Sequence, residues 1–177
     1  CVQYLEIGVW NPILLNNTYT FYERGGRGIL VDANPAVQTL CNVIRPEDKF
    51  LNYAICGVKD AQDTIKLWLS GKEELSSLDI NSINDHGASA EKYIEVPLIG
   101  INDLLKRIND NIDLVSIDIE GMDYEVISSW DFSIKRPKIL VIELVDDNIV
   151  EFMSEHNYIW YATNCGNSFF VDGEIYN

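Results

Sequence analysis

Basic residues are scarce in this chain: 13 lysines and arginines stand against 28 aspartates and glutamates, for a formal charge of −15. So acidic a surface repels phosphate backbones, and no lysine/arginine stripe offsets it. Nucleic acid is therefore disfavoured as a partner, and an anionic membrane surface with it. Long apolar runs are also missing; none approaches the ~18 residues that a membrane span needs. Cysteine is sparse and scattered: Cys1, Cys41, Cys56 and Cys165 show neither CxxC nor Cys/His spacing, which leaves a zinc site or redox pair with little support. Reduced thiols in a cytoplasmic protein are the expectation. Nothing near the start has the basic-then-apolar layout of a secretion signal. The sequon Asn16-Asn17-Thr18 matters only in a secreted chain and is discounted. Internal repeats and low-complexity tracts are absent.

What is present is an alternation. At 177 residues, 47% hydrophobic and 23% charged, the chain fits one globular domain over residues 1–177. Short Ile/Val/Leu runs ("VQYLEIG", "RGILVDANP", "KFLNYAICG", "IDLVSIDIEG", "KILVIELVDD") read as buried strands, and amphipathic stretches separate them. Leu14, Leu15, Thr18, Phe21 and Tyr22 fall near helical spacing. In "NPAVQTLCNVIRP" Asn34 caps a helix, Pro35 takes its first turn, and Val37, Leu40, Cys41 and Ile44 share a face. Ile101, Leu104, Leu105 and Ile108 predict another helix face. Residues 58–92 are polar and read as an excursion, with one strand-like piece at "TIKLWLS". Near-continuous apolar strands between helices predict an α/β fold: a doubly wound, mostly parallel sheet, with "YIWYATN" and "SFFVDGEIY" as an antiparallel C-terminal edge hairpin.

In such sheets ligands bind beyond the carboxyl ends of the strands. Those ends carry Glu6-Ile7-Gly8, Asp32-Ala33-Asn34, Tyr53-Ala54-Ile55, Asp118-Ile119-Glu120-Gly121 and Glu143. Acids gather where a ligand would lie. Gly8, without a Cβ, would let a cofactor rest on the first turn, or is simply a turn. Asp32, 24 residues later, is placed to accept two hydrogen bonds from ribose hydroxyls, or is a capping acid before the Asn34-Pro35 helix start. Taken together the cofactor reading is preferred. A dinucleotide loop would need G-x-G-x-x-G, but Trp10 and Ile13 occupy the later glycine positions, where an indole would obstruct a diphosphate. S-adenosylmethionine carries no phosphate, and Glu6 and Asp118 can approach its ammonium and sulfonium side.

At this point "YLEIGVWNPILLNNTYTFYERGGRGILVDANP", "YIEVPLIGINDLL", "IDLVSIDIEGMDYEVI" and "PKILVIEL" together resemble the FkbM family of S-adenosylmethionine-dependent methyltransferases, a Rossmann-like class I methyltransferase fold. Asp118-Ile119-Glu120-Gly121 is similar to the family's D-x-E-G signature. The resemblance implies that Glu6 and Gly8 form the first cofactor motif and that Asp32 holds the ribose. It also implies Ala33 and Asn34 beside the sugar and adenine, and Ala54 and Ile55 along the adenine edge. The resemblance and the acidic charge together point to O-methylation of a small molecule or sugar hydroxyl.

Such a transfer needs the nucleophile held in line with the methyl and a group to remove its proton. Asp118, Glu120 and Glu143 are the candidates; any two can form a base, a clamp on the acceptor hydroxyl, or a hard-cation site with oxygen ligands. Glu120 can equally cap the helix after Gly121. His86, in the polar excursion, is a solvated loop residue or a lid, and His156 a surface or cap residue. The rival readings are a nicotinamide-dependent Rossmann oxidoreductase and a non-catalytic methyltransferase-like binding domain.

Overall fold

The computed structural model of the chain describes residues 1–58, 62–70, 76–78, 90–119, 121–143 and 145–176. Among these residues the order is β1 (Gln3–Ile7), α1 (Tyr19–Glu23), β2 (Arg27–Asp32), α2 (Pro35–Ile44), β3 (Lys49–Asn52), β4 (Ala54–Cys56), β5 (Thr64–Ser70), β6 (Ser76–Ser77), β7 (Ala90–Gly100), α3 (Ile101–Arg107), β8 (Leu114–Ile117), α4 (Asp123–Ser128), β9 (Ile139–Glu143), α5 (Asp147–Glu155), β10 (Tyr158–Asn164) and β11 (Asn167–Asp172).

Seven strands form the main sheet, in the order β10-β11-β9-β8-β1-β2-β3. From β9 to β3 every pairing is parallel, whereas β11 runs antiparallel to β9 and β10 antiparallel to β11. This is the doubly wound, mostly parallel sheet with the C-terminal hairpin that the sequence predicts. Cys165 (φ 50°) and Gly166 (φ 87°) make the hairpin turn, both in the left-handed region that a two-residue turn of this hand needs.

Strand alternation divides the core. Leu5, Ile7, Val115, Ile117, Leu140 and Ile142 meet apolar residues of α3, α4 and α5 on one face. Tyr4, Leu30 and Leu114 meet Val37 and Cys41 of α2 on the other. Each fully buried leucine or isoleucine contributes roughly 1.5–3 kcal/mol, so this layering carries much of the stability. Asn34 caps α2 as expected, its side chain accepting from the Ala36 N–H; Leu40, however, stays exposed. Ile101, Leu104, Leu105 and Ile108 are all buried.

Three expectations change. The helix read from Leu14 onward shrinks to the five residues of α1, and Leu14 and Leu15 are exposed. Asn11 and Asn16 explain this: the Oδ1 of Asn11 accepts from the N–H groups of Ile13 and Leu14, and that of Asn16 from Thr18 and Tyr19. Side-chain carbonyls thus take donors that a longer helix would have used. The third strand breaks at Tyr53. Asn52 donates to the carbonyls of both Asp32 and Ala33, at 2.9 Å each, which anchors β3 to the end of β2 before the chain leaves the sheet. The described part of the polar excursion contributes β5 and β6 to a second sheet, β4-β7-β5-β6, with Leu67 buried inside it. Among the described residues no helix is long and apolar enough to cross a membrane.

Candidate functional site

The carboxyl ends of β1, β2, β8 and β9 open on a cavity of about 630 Å³, within the size range of small-molecule sites. Ala33, Asn34, Tyr53, Ala54 and Ile55 line one end of it. Asn17, Asp118, Glu143, Asn164 and Asn167 line the other, and Gly8 and Asp32 lie on its wall as well.

The glycine-poor first loop is built around Asp32. Its Oδ2 accepts from the backbone N–H groups of Val9 and Trp10, at 2.9 Å each, and its Oδ1 from that of Asn34 at 2.7 Å. Trp10 is thereby held at φ 43°, a left-handed conformation costly for a bulky residue. A carboxylate offers about four lone-pair sites; three are occupied here. One therefore remains, where the sequence reading asked for two hydrogen bonds from ribose hydroxyls. Burial pushes the Asp32 carboxyl above its ordinary range, opposed by those three N–H groups.

Gly8 has a reason of its own. At φ +85°, a Cβ on it would stand 1.6 Å from the carbonyl oxygen of Asp118. The ends of β1 and β8 converge there: the Asp118 N–H donates to Ile7 and the Gly8 N–H to Val31, both at 2.9 Å. Gly8 lines the cavity, but the neighbouring strand end already requires a glycine.

Glu6 does not line the cavity. Odd positions of β1 face α3 to α5 and even ones the opposite face, so Glu6 projects beside Tyr4 and is 2% exposed. There it accepts from the Thr18 hydroxyl at 2.6 Å and pairs with Arg45 at 3.3 Å. Asp118 and Glu143 both reach the cavity wall. Glu143 Oε2 is buried and has no hydrogen-bond partner among the described residues. Glu120 and His86 lie outside the described residues. His156 caps the end of α5, its Nδ1 2.8 Å from the Phe152 carbonyl. Among the described residues no group of three or more His, Cys, Asp or Glu side chains is placed to hold a metal ion.

Several residues here escaped the sequence reading. Asp123, 5% exposed, accepts from the N–H groups of Ile119 and Gly121 and so staples the loop after β8. Burial, with the charge of Glu143 adding to it, raises its carboxyl to about 6. Asn17 donates to Ser116 at 3.0 Å and to Asn167 at 3.4 Å, which bridges the first loop to the C-terminal hairpin. An Asn-Cys-Gly-Asn turn between two strands signals the hairpin, but nothing local announces that it returns to the mouth of β9.

A parallel sheet extended by an antiparallel hairpin, with an acid-lined cavity at the carboxyl ends of its central strands, defines a Rossmann-like methyltransferase fold. The chain belongs to the methyltransferase FkbM domain family, whose model matches residues 6–166. Comparison with curated proteins found no match.

Proposed function

We propose that the cavity binds S-adenosylmethionine and that this methyltransferase acts on a hydroxyl of a small molecule or sugar. One observation carries the reading: Asp32, Asp118 and Glu143 line the cavity, and among its described lining residues there is no lysine, arginine or histidine. A cationic sulfonium and an ammonium suit such a wall, whereas a diphosphate would meet only repulsion. The first loop supports the same choice. A dinucleotide rests its pyrophosphate on the helix that follows the first strand; here eleven residues of loop and turn (8–18) lie between β1 and α1.

Bound there, the cofactor would supply a methyl group carried on positive sulfur. The open lone pair of Asp32 would accept from a ribose hydroxyl, with Ala33 and Asn34 beside the sugar and Ala54 and Ile55 against the adenine. Asp118 would face the cation. Glu143, whose Oε2 lacks a partner among the described residues, would take the proton that the acceptor hydroxyl gives up as its oxygen bonds to the methyl carbon and the carbon–sulfur bond breaks. The acidic surface speaks against nucleic acid as acceptor. Four free cysteines suit a reducing compartment, and we assign the chain to the cytoplasm.

Calorimetry with S-adenosylhomocysteine and with NAD tests this. Wild type should bind the former and not the latter. Asp32→Ala should weaken binding about 10–100-fold, the worth of a charge-assisted hydrogen bond plus loop support. Binding of NAD alone would favour the oxidoreductase. Binding of neither, or an unchanged affinity in Asp32→Ala, would favour a non-catalytic domain.

A further inference from the structure

Glu143, Asn167 and Asn164 stand in one row across three strands. Asn167 pairs directly with Glu143 between β11 and β9, and Asn164 pairs with Asn167 across the Cys165-Gly166 turn. Directly opposed residues of antiparallel strands project to the same face, and all three line the cavity. Asn17 joins the row from the first loop through its bond to Asn167. The row lies on the β9 and β11 side, across β8 and β1 from the Asp32 end. The polar capacity left in it is specific. Glu143 Oε2 can only accept when ionised, and it is buried without a partner among the described residues. The Nδ2 groups of Asn164 and Asn167 donate to no described residue.

We infer that this row is the acceptor subsite and that it takes an acceptor with neighbouring hydroxyls and no anionic group, of the carbohydrate class. This rests on the function proposed above and adds to it a place and a charge rule. A hydroxyl both donates and accepts, so one can donate to Glu143 while its neighbour accepts from an asparagine amide. A carboxylate or phosphate would face Glu143, and the described cavity lining holds no lysine, arginine or histidine to offset it. An unpartnered buried carboxylate oxygen costs roughly 1–3 kcal/mol, which a bound hydroxyl would relieve.

The test uses the whole chain and saturation-transfer NMR, with and without S-adenosylhomocysteine. Two probes share one ring: methyl glucoside and glucuronate. Methyl glucoside should show transfer, and glucuronate a signal about tenfold weaker or none, the scale of a lost charge-assisted hydrogen bond. Glu143→Gln should narrow the gap between glucuronate and glucoside. Asn167→Leu should lower the glucoside signal by about tenfold without lowering the affinity for S-adenosylhomocysteine, measured by calorimetry on the same sample. The inference is overturned if glucuronate binds as well as the glucoside, if neither sugar binds, or if neither variant alters the ranking. Loss of S-adenosylhomocysteine binding in wild type would instead overturn the cofactor reading alone. Thermal melts confirm that each variant is folded.

Discussion

Removing the Arg45 side chain should destabilise this protein more than any change at the cavity. Its side chain is 0% exposed, as is that of Asp48, and that of Glu6 is 3% exposed. The guanidinium touches Asp48 at 2.8 Å, Thr18 at 2.7 Å, Asn16 at 3.0 Å and Glu6 at 3.3 Å. Asp48 in turn accepts from the Tyr4 hydroxyl and the Gly28 N–H. One cation thus ties β1, β2, the first loop and the end of α2 together. Burial pushes the Glu6 carboxyl above its ordinary range although Thr18 and Arg45 oppose it, the mark of ions whose partners only partly offset desolvation. In Arg45→Met, two buried carboxylates lose their shared cation. Breaking a buried pair in this way costs about 3–5 kcal/mol, against a total stability of roughly 5–15 kcal/mol.

Urea unfolding followed by tryptophan fluorescence reads this out. With a slope of about 1–3 kcal/mol per molar, that loss should lower the midpoint by roughly 1–5 M while the slope is unchanged. A loss below about 1 kcal/mol, the level of an exposed pair, would refute the network account. Glu6→Gln separates the two roles available to Glu6. As a member of the network it should cost about 1–3 kcal/mol of stability and leave S-adenosylhomocysteine affinity within about twofold. A direct cofactor contact, which the resemblance implies, requires the reverse.

Two further outcomes follow from the site. Gly8→Ala should cost about 2–4 kcal/mol, from positive φ plus the collision with the Asp118 carbonyl, and a thermal melt within a degree of wild type would contradict that packing. Asp123 has its folded carboxyl at about 6, above the ordinary 3.8. The sign is therefore that of a raised acid: its contribution is most favourable below about pH 4 and is lost as pH rises through 6. Between pH 5 and 7.5 wild type should lose about 1.4 kcal/mol that Asp123→Asn does not lose, and parallel stability curves would refute the assignment.

The periodic parts of the fold were legible because burial on both faces of a parallel sheet writes itself into composition. "ILVIE" and "LVSI" have no other place to go, and Ile101, Leu104, Leu105 and Ile108 repeat at the spacing of one helix face. The break at Tyr53 was not legible, because it depends on Asn52 reaching the carbonyls of a strand twenty residues earlier. The first helix misled for a different reason: its apolar spacing is sound, but Asn11 and Asn16 compete for the backbone and win. At the site, the acids were found by their position at strand ends, which is a local signal. The asparagine row was not, since Asn17, Asn164 and Asn167 meet only through tertiary contact. Glu6 shows the limit of the local signal, because one step along a strand turns a side chain to the other face.

The glycine-poor loop connects these observations. A loop that approaches a ligand through bare backbone normally relies on glycines; here Val9 and Trp10 present side chains, and their N–H groups are fixed by Asp32 instead. In the proposed cofactor site the same carboxylate would have one acceptor site left for a ligand hydroxyl, which would couple loop order to ligand affinity through a single side chain. That hydroxyl would meet a carboxylate already oriented by three N–H groups, so little conformational freedom would remain to be lost on binding. Such preorganisation is what a chain without loop glycines would need, and it would give the acid after β2 a functional role beside its structural one.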